Sequence, residues 1–140
     1  MFMIDTSTAF GARMRGRLDS EKVVWLTTVG RSGTPQPNPV WFLFTGDQII
    51  MFSEPGKAKL HNLQARPAVA LNFNATPTGS DIGVITGAAV IDENGPSADE
   101  LAAYDAKYAD DIAGLNLTPE QFHQAYSVLV RIAPAKLRGF

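Results

Sequence analysis

Apolar positions in this chain alternate with polar ones over short stretches and switch to helical spacing in a few places. Near the start, residues 8–18 set Phe10, Met14 and Leu18 at i, i+4 and i+8 with Arg13, Arg15 and Arg17 between them, which predicts an amphipathic helix. The arginines read as a solvated face or as a patch that touches an anion. Residues 23–29 are dense in β-branched and aromatic side chains and predict a first strand. Gly30-Arg31-Ser32-Gly33-Thr34 supplies a turn, and residues 36–44 return as a second strand. Pro37 and Pro39 lack an N–H, so the start of that strand cannot pair fully on both sides. Its free carbonyls and the Asn38 amide fit either a plain sheet edge or a surface that meets a ligand. After Thr45-Gly46-Asp47, residues 48–53 form a third strand, and two hairpins in succession predict an antiparallel meander.

Residues 53–63 then turn through Pro55 and Gly56 into a short helix whose inner face is Leu60 and Leu63, ended by Pro67. Residues 68–74 alternate as a half-buried strand, with Val69, Leu71 and Phe73 on one side. A polar loop leads to a strand over residues 83–91, where Gly87 predicts a bend or a close backbone approach. Ser97-Ala98-Asp99-Glu100 is a capping-box pattern followed by the stripe Leu101, Tyr104 and Tyr108. Thr118-Pro119-Glu120-Gln121 is a second, with Phe122, Ala125 and Tyr126 inward. Residues 127–132 close the chain as a strand ending near Pro134. About six short strands plus flanking helices predict a mainly β fold with α: a small closed or split antiparallel β-barrel with helices outside, in a single domain of residues 1–140.

Composition narrows the function classes. The 140 residues contain no cysteine, which removes disulfides, thiol catalysis and thiolate metal sites. No apolar run reaches the roughly 18 residues of a membrane span. The first sixteen residues lack the apolar core of a secretory signal, so the expected location is cytoplasmic. The net charge of −2 is unevenly placed. Residues 1–91 carry eight basic and six acidic groups, residues 92–126 carry eight acids against Lys107, and residues 127–140 carry three basic groups. That is not the broad positive field of a nucleic-acid binder.

Few residues remain to carry chemistry. His61 and His123 lack metal-ligand spacing and read as ordinary helix-surface histidines. There is no nucleophile elbow, phosphate loop or dinucleotide fingerprint. Asp110-Asp111 reads as a solvated helix end. What is left is the anion-attracting helix start after Pro55-Gly56, where unpaired N–H groups meet Lys57 and Lys59. A solvated lysine pair is the alternative at that point. Trp41, Phe42 and Phe52 would add flat apolar walls suited to a planar phosphorylated cofactor, although core packing accounts for the same aromatics.

The run Trp25-Leu26-Thr27-Thr28-Val29, the run Gly33-Thr34-Pro35-Gln36-Pro37-Asn38-Pro39-Val40-Trp41-Phe42, and Phe52-Ser53-Glu54-Pro55-Gly56-Lys57-Ala58-Lys59 occur in one order, followed by Asn62-Leu63 and Arg66-Pro67-Ala68-Val69-Ala70-Leu71. In this the chain resembles the pyridoxamine 5'-phosphate oxidase-like split β-barrel proteins, and within them the flavin/deazaflavin oxidoreductases. The resemblance implies a homodimer binding coenzyme F420 (8-hydroxy-5-deazaflavin), or alternatively flavin mononucleotide (FMN), in a groove at the subunit interface. It implies that Lys57 and Lys59 hold the cofactor phosphate, with Phe52 and Ser53 beside it. Asn38, Pro39, Val40 and Trp41 would then flank the ring. The fuller arginine set of true pyridoxamine phosphate oxidases is missing. The implied chemistry is hydride transfer between reduced cofactor and a small electron-poor acceptor, which requires no catalytic side chain. A non-catalytic storage or carrier protein is the alternative from another class.

Overall fold

In the computed structural model, which describes residues 2–140, one antiparallel sheet dominates. The elements in chain order are α1 (Ala9–Ser20), β1 (Val24–Val29), β2 (Pro35–Val40), β3 (Leu43–Phe44), β4 (Ile49–Ser53), α2 (Ala58–Ala65), β5 (Ala68–Asn72), β6 (Gly83–Ile91), α3 (Ala98–Lys107), α4 (Ala109–Gly114), α5 (Pro119–Ala125) and β7 (Val128–Gly139). The seven strands lie in the order β2-β1-β5-β6-β7-β4-β3. Strands β2 and β3 are therefore opposite edges of the sheet, yet only Trp41 and Phe42 separate them in the chain. Two residues cannot span a flat sheet of that width, so the sheet must curl until its edges meet: a split β-barrel with flanking helices.

This corrects the expected continuous second strand over residues 36–44. The first hairpin is real, with Val24 opposite Val40 and Val29 opposite Pro35. The meander ends there, because β3 pairs with β4 and neither touches β2. The break occurs where the Phe42 peptide leaves the ladder for helix side chains. Its N–H donates to the Tyr108 hydroxyl at 2.7 Å, and its carbonyl accepts from Lys107 Nζ at 2.7 Å. The Tyr108 hydroxyl gives its one proton to the Lys22 carbonyl at 2.8 Å, with the Phe42 carbonyl also in reach at 2.9 Å.

The last strand also differs from expectation, running through Pro134 to Gly139. Beyond Ile132, β7 pairs with β6 alone, and Pro134 falls opposite Gly87 where the register slips. Proline is tolerated at such a bulge because a ladder bond is already lost there. Gly87 makes the close backbone approach its position predicts: a side chain there would run into the Ala133 carbonyl. Strands and caps elsewhere follow the sequence. Ser97 and Thr118 both close full capping boxes. Helix α4 was not anticipated, and Ala125, expected inward, is exposed.

Two apolar clusters result. The barrel interior holds Met14, Leu18, Leu26, Phe42, Leu71 and Ile132 among others. A second cluster of Tyr104, Tyr108, Ile112 and Phe122 joins α3–α5 to Trp41 and Phe52. The α1 arginines are committed to ion pairs: Arg13 and Arg17 to Asp81 at 2.7 and 3.2 Å, Arg15 to Asp19 at 3.1 Å. Arg17 also pairs with Glu21 at 2.8 Å.

Arg131 of β7 binds Glu100 at 2.7 Å and Asp92 at 2.6 Å, tying α3 to the sheet. Its guanidinium is the main reason that the Glu100 carboxyl falls from an ordinary 4.5 to about 2, burial opposing. A carboxyl depressed on folding stabilises the fold above its unfolded value and loses that contribution as pH falls through the folded one. Glu100→Gln should therefore flatten the stability loss between about pH 4.5 and 2, read by urea denaturation across that range. Tyr108→Phe should lower stability by about 1–3 kcal/mol, since it leaves the buried Phe42 N–H unpaired. An unchanged urea midpoint would show that the link is held by other contacts.

Candidate functional site

Strand β4 ends at buried Ser53, whose hydroxyl donates to the Glu54 carbonyl at 2.8 Å. The chain then reverses through Pro55-Gly56, where Gly56 takes a φ of +75° that side-chain-bearing residues rarely adopt. Helix α2 is fixed against β1 and β2 by buried Asn62, which donates to Thr28 Oγ1 at 3.1 Å and Gln36 Oε1 at 2.9 Å. Arg66 Nε adds a bond to the Val29 carbonyl at 2.8 Å. The N-cap of α2 is Lys57, which gives no side-chain cap, whereas Thr8, Ser97 and Thr118 cap α1, α3 and α5. The first amides of α2 thus have no side-chain acceptor.

A cavity of about 290 Å³ opens beside this helix start. It brings together Pro39, Val40, Trp41, Phe52 and Lys59, five residues that the sequence pointed to. Its remaining wall comes from Tyr104, Leu115, Phe122 and Tyr126 of the late helices and their connections. Asn38, Ser53 and Lys57 do not line it. Asn38 pairs with Leu26 along β2, Ser53 is buried, and Lys57 forms a half-exposed ion pair with Glu54 at 3.0 Å. Phe42, expected as a wall, turns into the barrel interior against Phe73.

The walls are aromatic and stacked. Trp41 lies nearly parallel to Tyr108, with centroids 4.7 Å apart, and to Phe122 at 5.6 Å. Phe122 stacks in turn on Tyr126 at 4.5 Å. Phe52 meets the Tyr104 ring edge-on at 4.7 Å. The late helices bring Trp41 and Phe52 to one surface. Tyr104, Phe122 and Tyr126 were visible in sequence as an inward stripe, but the stripe did not say what it faces. Leu115 follows α4 and is 47 % exposed, so no periodicity could single it out.

Several ionisable groups in and around the cavity are shifted. The Lys59 amine is pushed below its ordinary pKa, first by burial and then by the charge of Lys57. The Glu54 carboxyl is lowered chiefly by its hydrogen bond to Lys57, with Tyr126 and Lys59 adding to the effect. Burial raises the phenols of Tyr104 and Tyr108, so both stay neutral. Lys107, under the Trp41–Phe42 link, is brought down to about 8, again mainly by burial.

His123 departs from the solvated residue expected. Its Nε2 lies 2.7 Å from Asp105 Oδ1, its Nδ1 is buried without a partner, and its ring packs edge-on to Phe52 at 4.8 Å. His61 is exposed on α2. Among the described residues no group of three or more His, Cys, Asp or Glu is arranged to hold a metal ion, and no helix is long and apolar enough to cross a membrane.

Residues 10–139 match the family model described as pyridoxamine 5'-phosphate oxidase. No curated protein matches the chain in sequence. Similar solved structures include an F420 reductase at 23% identity, covering 89% of this chain and 94% of that one with a TM-score of 0.68. The heme storage protein HutZ of Vibrio cholerae aligns at 17% identity over 94% of this chain and 95% of its own, with a TM-score of 0.70. A conserved hypothetical protein of Mycobacterium tuberculosis aligns at 20% identity over 91% and 81%, with a TM-score of 0.66. At these identities the likeness is one of fold.

Leu115 offers a way to test the pocket without disturbing the fold, because its side chain is already half outside. If a flavin probe enters this cavity, Leu115→Trp should fill the opening and abolish its binding while the stability read by urea denaturation stays within about 0.5 kcal/mol of the parent. Unchanged binding would show that the probe binds elsewhere on the surface.

Proposed function

The chain belongs to the pyridoxamine 5'-phosphate oxidase family, and from that membership we propose that it is an oxidoreductase using the deazaflavin coenzyme F420. One observation carries the reading: a slot lined by Pro39, Val40, Trp41 and Phe52 is also lined by Lys59, from the first turn of α2, the helix whose N-cap gives no side-chain cap. Such a slot matches a planar ring joined to a phosphate, since the walls offer apolar area and the helix start offers N–H donors and a cation.

The residues present fit that kind of group. The amides at the start of α2 have no side-chain acceptor of their own, and Lys59 is desolvated enough to gain from an anion. The cavity, at about 290 Å³, sits at the bottom of the range of roughly 300–1,000 Å³ for small-molecule sites. One chain therefore encloses only part of a flavin-sized molecule, which supports a homodimer whose second copy completes the groove. When bound, the cofactor would supply hydride transfer to or from an electron-poor organic acceptor. The chain's own part is to hold the phosphate at Lys59 with Lys57 behind it, to flank the ring with the β2 backbone at Pro39 and Val40, and to exclude water with the Trp41, Phe122 and Tyr126 stack. Asn38 and Ser53 support this arrangement from outside the cavity, as strand and turn positions.

The choice of deazaflavin over FMN rests on the motif resemblance across residues 20–92 and is supported by an F420 reductase among proteins of the same fold. FMN is the nearest variant. A haem-holding role like that of HutZ finds little support in the histidines, since His123 Nε2 faces Asp105 and His61 lies outside the cavity.

Purified protein that quenches the fluorescence of added F420 and oxidises the reduced form in the presence of quinones, nitroaromatics or enones would bear this out. A yellow protein with a flavin spectrum would favour FMN, and tight binding without turnover would favour a carrier. Lys59→Ala should weaken cofactor binding by roughly ten- to a hundredfold, the loss of one charge-assisted hydrogen bond of about 1.5–3 kcal/mol. Stability should change little, because among the described residues the ion pair at this helix start is made by Lys57 and not by Lys59. Equal affinity in the variant would show that the phosphate lies elsewhere.

A further inference from the structure

Glu54 is an acid beside the proposed phosphate end, and the function above gives it no role. Its carboxylate is held at 3.0 Å by Lys57, and its proton affinity is lowered by Lys57, Tyr126 and Lys59 together. Glu54 directly follows β4, whose Phe52 lines the cavity, and it pairs with Lys57, the N-cap of α2, two residues before the cavity-lining Lys59. An internal anion already occupies part of the positive field at the helix start. We infer that Glu54 sets cofactor selectivity, by leaving that end with the net charge of one cation and so favouring a phosphodiester monoanion over a phosphomonoester dianion.

The two flavin classes differ in that charge. In coenzyme F420 the phosphate is a diester carrying one negative charge, whereas the FMN phosphate is a monoester carrying between one and a half and two at neutral pH. Two lysines without Glu54 would suit the dianion. With Glu54 in place, every unit of phosphate charge is repelled, so the monoester, which carries up to one charge more, loses more affinity than the diester. Repulsion between unit charges about 4 Å apart changes an affinity by about fivefold even at the dielectric of bulk water. The half-exposed position of the pair keeps the effect near that lower limit. Among the described residues, Glu54 is the acid whose charge bears on the Lys59 amine.

This inference rests on the cofactor site proposed above, and its test separates the two. Affinities of the parent and of Glu54→Gln are measured for F420, FMN and riboflavin, the last having the flavin ring without a phosphate. The substitution keeps the side-chain shape at a partly exposed turn position, so the fold is retained. The expected result is a shift of preference of about fivefold toward FMN over F420 at low salt, with riboflavin unchanged and the shift fading as salt is added. An unchanged FMN-to-F420 ratio, a loss of FMN affinity, or an equal gain for riboflavin overturns the role of Glu54 while the cofactor site stands. Failure of the parent to bind any of the three overturns both.

Discussion

Trp41 and Phe42 join the two outer edges of a single seven-stranded sheet, and everything else about the molecule follows from that short link. A link of two residues forces the sheet to close on itself, and it leaves the Phe42 peptide outside any strand ladder. A buried peptide without partners costs a few kcal/mol, so the fold requires another element to satisfy it. Tyr108 and Lys107 do so from the far end of α3. The helical arm is thereby pinned to the closure point, and the same pin fixes where its aromatic side chains lie.

The site is a by-product of that closure. Trp41 faces outward from the link and is met by Tyr108 and Phe122 in nearly parallel stacks. Phe52, at the end of β4, meets the same helices through Tyr104. Strand β2 brings Pro39 and Val40 to one side, and the turn after β4 delivers Lys59 to the end. A prestacked aromatic wall has already lost its side-chain freedom on folding, which favours a planar ligand because less is lost on binding. The start of α2 is more exposed, with Lys57 and Glu54 paired at 3.0 Å.

Much of this was legible from residue patterns. Alternation located β5 and β6, the two capping boxes located α3 and α5, and Gly87 marked a real close approach. Five of the residues singled out for a cofactor came together in one cavity. What stayed hidden depends on partners distant in sequence. Nothing near residues 41 and 42 shows that their strand breaks, because the bonds that break it come from Tyr108 and Lys107. Pro134 looked like a strand end because its tolerance comes from a register slip against Gly87 on β6. His123 looked solvated because its partner, Asp105, lies a helix away. Local pattern specified the elements, and long-range hydrogen bonds specified how they meet.

The central claim is that one groove, walled by Pro39, Val40, Trp41 and Phe52 and ended by Lys59, receives a deazaflavin. A crystal structure of the protein grown with coenzyme F420 tests it most directly. The account predicts the ring against Pro39, Val40 and Trp41, with the phosphate within hydrogen-bond reach of Lys59 and the first amides of α2. A cofactor bound away from that wall, or a phosphate out of reach of α2 and Lys59, would contradict it.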